Sequence, residues 1–125
     1  MNEINGHITY NGKEYPLAFT LNVMERIQEE YGSIDRWGQL TDGADGEPNA
    51  KAVIFGFTEM INEGIDIENE TRDEKEPFLT TRQVGRIITG YGLAQSTQTM
   101  QETVINSTQS AEKNASSTRR KAVKK

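Results

Sequence analysis

Asn11-Gly12 constrains this chain more than any other pair of neighbours. Both central residues of a two-residue type I′ turn need positive φ, and Asn-Gly adopts that conformation most readily. A hairpin closed there sets Gly6 opposite Leu17, His7 opposite Pro16, Ile8 opposite Tyr15 and Tyr10 opposite Lys13, with Ile4 and Phe19 as an outer pair. The bulky apolar side chains then share one sheet face. Asn5, His7, Thr9, Glu14, Pro16 and Ala18 collect on the other. A slip of one residue would exchange the faces, so the register is well specified. Pro16 has no N–H to donate and suits an edge. Two strands alone are marginally stable, so this apolar face needs helices to cover it.

From Thr20 the spacing of apolar residues lengthens to three and four. Leu21, Met24, Ile27 and Tyr31 predict a helix capped by Thr20 or Asn22 and ended by Gly32. Ser33 to Trp37 reads as a short second helix, and Thr41 to Glu47 as a Gly/Asp loop. Pro48 suits the first turn of a third helix, in which Ala50, Val53, Ile54, Phe57, Met60, Ile61 and Gly64 form one apolar stripe. Residues 66–76 are polar, mostly acidic, and read as a solvated loop. Thr80 and Gln83 make a capping box for a fourth stretch, with Val84, Ile87, Ile88, Tyr91 and Ala94 as its apolar stripe. Beside that stripe Gly85, Thr89, Gly92 and Ser96 form a seam of small residues. The seam reads either as a self-association surface where a second backbone approaches closely, or as a broken helix.

The fold class is therefore α+β: an N-terminal hairpin packed on a small, mainly helical domain over residues 1–105, then a disordered basic tail over 106–125. Only 34% of the residues are apolar and 26% are charged, which suits a modest core with a large wet surface. Residues 110–125 carry six Lys/Arg against one Glu, a net of +5, and the other 109 residues a net of −10. An acidic body of this kind repels phosphates, so a nucleic-acid partner is not expected for it. The tail reads as a contact to nucleic acid, as a solubilising terminus, or as an electrostatic hook for an acidic partner, this protein's own body included.

The chain has no cysteine and one histidine, which excludes thiolate chemistry and the common zinc constellations. Asp42 to Glu47 lacks the ligand spacing of an EF-hand loop. His7 has no partner residue placed to make it a general base. Gly90-Tyr91-Gly92 is too short and wrongly placed for a dinucleotide fingerprint. No enzyme, metal or cofactor is expected. No apolar run reaches the ~20 residues of a membrane span, and the first residues lack the pattern of a signal peptide. Location inside the cell is the corresponding expectation. Trp37, Phe55, Ile65, Ile67, Phe78 and Leu79 fall off the main stripes and are the candidate partner contacts.

The run Asn11 to Leu17, then Phe19, Leu21-Asn22, Met24, Ile27 and Glu30 to Ile34, resembles the opening of small tail assembly chaperones of long-tailed, siphovirus-type bacteriophages. Phe57 with Met60 to Gly64 looks like their middle helix, and Thr81 to Tyr91 like the next. The likeness covers roughly residues 4 to 95. It implies a non-enzymatic protein of the host cytoplasm that binds the apolar tape measure protein, helps recruit tail tube protein, and is absent from the mature virion. Many members are made in two lengths by ribosomal frameshifting, and Lys124-Lys125 would suit an A-rich slippery codon pair. The rival readings are a head–tail connector or minor tail protein, and a small regulator that holds nucleic acid with its basic tail.

Overall fold

The computed structural model of the chain describes residues 4–43 and 46–123, with side chains through residue 108. Its order is β1 (Gly6–Tyr10), β2 (Lys13–Leu17), α1 (Leu21–Tyr31), α2 (Ile34–Asp42), α3 (Ala50–Asn69), α4 (Thr81–Tyr91) and α5 (Leu93–Val123). The hairpin pairs in the expected antiparallel register from Gly6↔Leu17 to Tyr10↔Lys13. Asn11 and Gly12 take φ of 52° and 75°, as a type I′ turn demands.

α3 is the central element. Its 20 residues span about 30 Å at 1.5 Å per residue. They bury Val53, Phe57, Met60 and Ile61 against Ile8, Leu17 and Phe19 of the hairpin segment, Val23 and Ile27 of α1, Val84, Ile87 and Ile88 of α4, and Met100 of α5, in one core. α3 also covers the outer edge of β2. Ala18 donates its N–H to the Met60 carbonyl at 3.1 Å, and Gly64 lies so close to Pro16 that a Cβ there would stand 2.7 Å from the Pro16 carbonyl oxygen. An exposed strand edge is a template for unwanted pairing; here a proline with no donor and a helix laid over it remove that edge. Pro16 and Ala18, placed by alternation on the polar face, are consequently buried.

The helix boundaries follow local chemistry. Ser33 caps α2 by accepting from the Arg36 N–H, Asn49 caps α3 by accepting from Ala52, and Thr80 with Gln83 forms the expected reciprocal box at α4. Thr20 stands at the N-cap of α1 but spends its hydroxyl elsewhere, donating to Glu63 Oε2 at 2.5 Å.

Five sequence expectations are corrected. α2 continues past Trp37 to Asp42, and α3 runs on to Asn69, into the stretch read as an acidic loop. Leu21, placed on the buried stripe of α1, is 78% exposed, because Val23 and Ile27 form the inward face instead. The small-residue seam does not exist as a helical row: Gly92, at φ 105°, ends α4, and a new helix starts at Leu93. Positive φ of that size is easily adopted only by glycine. Gly85 meets only Ile54, Thr89 is exposed and donates to the Gly85 carbonyl, and Ser96 is fully buried on α5. Finally, residues 106–108, assigned to the tail, belong to α5, and Ser107 donates to the Phe19 carbonyl at 2.7 Å. The side chains of the remaining tail, 109–125, lie outside the described residues, as do Ala44 and Asp45 of the Gly/Asp loop.

One ion pair ties the hairpin tip to the α3–α4 connection: Lys13 Nζ lies 2.7 Å from Glu76 Oε1. The hydrogen bond from Lys13 holds the Glu76 carboxyl below its ordinary 4.5, and the same bond raises Lys13 above 10.5. A carboxylate with a lowered folded-state pKa contributes stability above its unfolded value and loses it as pH falls through the folded one. The lysine's share is complete below 10.5 and fades as pH rises through its folded value. The pair is solvent-exposed, so the effect on stability is small. In a carboxyl-carbon NMR titration, Glu76 should titrate below 4.5 in the natural chain and return to that value in Lys13→Met. An identical midpoint in both proteins would show that the pair does not persist in solution.

Candidate contact groove

The segment between α3 and α4 is held extended along α3 by two asparagines seven residues apart. Asn69 Nδ2 donates to the Glu76 carbonyl at 3.0 Å while its Oδ1 accepts from the Glu76 N–H at 2.9 Å. One step along, Asn62 Nδ2 donates to the Leu79 carbonyl at 2.9 Å and its Oδ1 accepts from the Leu79 N–H at 2.8 Å. Each amide uses a donor and its carbonyl oxygen on one backbone residue, as another peptide group would. Between the clamps Phe78 is left 57% exposed. Leu79 packs against the core.

Phe78 borders a groove of about 190 Å³ whose other walls are Asn22, Val23 and Arg26 of α1 and Glu59, Asn62, Glu63 and Asp66 of α3. Glu63 accepts from Thr20 and, at 3.2 Å, from Asn22. Both donors are neutral, so its charge is oriented without being cancelled. Arg26 lies 3.7 Å from Glu59 and 3.0 Å from Glu29. The lining thus holds three carboxylates and one guanidinium, with an exposed aromatic ring beside them. A cleft built this way suits an apolar anchor flanked by positive charge.

The six candidate contact residues separate sharply. Trp37 is 3% exposed, donates its indole N–H to the Ala52 carbonyl at 3.0 Å and lies directly on Gly56. It belongs to the core. So does Ile65, at 5% exposure. Ile67 and Leu79 are half-buried. Phe55 is half-buried too, held edge-on to Tyr31 with ring centroids 5.7 Å apart and with the Arg26 guanidinium 5.8 Å from its ring. Phe78 alone of the six is a large exposed side chain. Three more large exposed apolar residues escaped the sequence reading: Leu21, Leu93 and Ile105. Each sits within a few residues of a buried neighbour, and periodicity could not separate them. The signal for the groove was the Asn62/Asn69 spacing, which has meaning only once the 76–79 segment lies beside α3.

Neither a family model, nor a curated protein, nor a solved structure matches this chain.

Proposed function

We propose that this protein is a non-enzymatic tail assembly chaperone of a long-tailed bacteriophage. It binds the tape measure protein, keeps it soluble in the host cytoplasm, helps recruit tail tube subunits, and is left out of the mature virion. The observation that carries this reading is Phe78, an exposed aromatic anchor pinned by backbone clamps on the rim of a charged groove. The family resemblance of residues 4 to 95, with the hairpin-on-helices architecture it implies, supports it further. A holdase needs apolar contacts for an apolar client and net charge to keep the complex in solution. This chain has both, with net charge −5 overall.

The test is co-expression with the large, apolar, helical tape measure protein of the same phage. The natural chain should carry that protein into the soluble fraction, and Phe78→Ala should lose most of the effect. Because Phe78 is largely exposed, its own fold should change by no more than about 0.5 kcal/mol. A tape measure protein that precipitates equally with and without the natural chain would end this reading.

A further inference from the structure

We infer that the outer edge of β1 pairs antiparallel with β1 of a second copy of this chain, joining two hairpins into one continuous sheet. The contact is separate from the groove and uses other residues. A two-residue turn is closed by a hydrogen-bonded pair, here Tyr10 and Lys13, and along an antiparallel ladder bonded pairs alternate with unbonded ones. Ile8 with Tyr15 and Gly6 with Leu17 are therefore bonded pairs. His7, opposite Pro16, and Thr9, opposite Glu14, turn their N–H and C=O groups away from β2. On the other strand the outward side is satisfied by α3, through Ala18 and Met60. On β1 no described residue bonds the backbone of His7 or Thr9, and both residues are exposed.

Only an extended chain offers N–H and C=O groups at the spacing of a strand edge. A helical client spends its amides within its own turns and cannot supply them. β1 is complementary to itself. With Ile8 on a two-fold axis, His7 of each copy faces Thr9 of the other, and each of these pairs can exchange both of its hydrogen bonds. Charge selects the same seam. β1 is the one element of the fold with no Asp, Glu, Lys or Arg. Residues 1–109 carry a net of −10, so two copies repel over most of their surface, whereas along β1 no charge meets a like charge. Edges that stay single usually carry lysine, proline or a bulge. β2 has Pro16, and β1 has none of these in its unbroken register.

Sedimentation velocity on the full chain reads the association, over a range of concentrations at about 0.15 M salt, where the net charges are well screened. The natural chain should pass from monomer to dimer as concentration rises. Thr9→Pro removes an N–H that β2 does not use, as Pro16 does on the other strand, and should weaken dimerisation by about tenfold or more. His7→Glu with Thr9→Glu sets carboxylate against carboxylate across the axis and should leave a monomer, as should His7→Lys with Thr9→Lys. An equimolar mixture of these two charged proteins should form a dimer again, which separates a lost contact from a damaged fold. A natural chain that stays monomeric at every concentration overturns the inference. So does a dimer unchanged by Thr9→Pro and by both charge pairs, which would place the interface elsewhere. So does a monomer that protects the His7 and Thr9 amides from hydrogen exchange, since its own chain would then cover the edge.

Discussion

Trp37→Ala is expected to destabilise the domain by about 3–5 kcal/mol, the range for truncating a large buried aromatic. The indole fills the space over Gly56 and bonds the Ala52 carbonyl, joining α2 to the first half of α3. Trp37→Phe should cost less, because most of the packing survives. Urea unfolding followed by circular dichroism measures both. An unchanged midpoint in Trp37→Ala together with lost client binding would return Trp37 to the contact surface and remove it from the core. As the sole tryptophan of the chain, it should also report unfolding of the natural protein by a red shift in its emission.

Gly64→Val should be nearly as damaging. Its Cβ would sit 2.7 Å from the carbonyl oxygen and 2.9 Å from the carbonyl carbon of Pro16. Both are backbone atoms, which no rotamer change can move aside. α3 must then lift from β2, stretching the Ala18–Met60 hydrogen bond, now 3.1 Å. Overpacking of this kind costs about 1–3 kcal/mol, and more where backbone must shift. Gly38→Ala is the matching control: nothing lies within 4 Å of its added Cβ. There the gain in helix propensity, up to about 1 kcal/mol, should appear undiminished. Equal and small effects at the two sites, by the same denaturation measurement, would mean that α3 and the hairpin are not in close contact.

Much of the architecture was legible in the chain because it rests on neighbours. The Asn11-Gly12 turn, the hairpin register, the Ser33 cap and the Thr80/Gln83 box are all decided within a few residues. The α3 stripe was legible too, since its inward face is conventionally apolar. α5 was missed for the opposite reason. The residues it turns to the body are Ser96, Met100, Thr103 and Ser107, at helical spacing but mostly small and polar. They fit because Gly6 leaves room for Thr103 on the strand beside it. A hydropathy pattern cannot register a face whose virtue is size. Of the two readings of the small-residue seam, the broken helix holds and the continuous surface does not: four residues at helical spacing looked continuous, but Gly92 takes a φ that ends the helix.

By itself, then, the order of residues determined the hairpin, its register, the main helices and an acidic body with a basic end, because turns, caps, periodicity and charge are local properties. Which apolar side chains face outward was decided only by tertiary packing. Trp37 and Phe78 are both aromatic residues off the main stripes. Gly56 offers one of them a flat bed inside, while the Asn62 and Asn69 clamps hold the other at the surface. Burial depends on what another segment presents from across the fold, and no window of neighbouring residues contains that information.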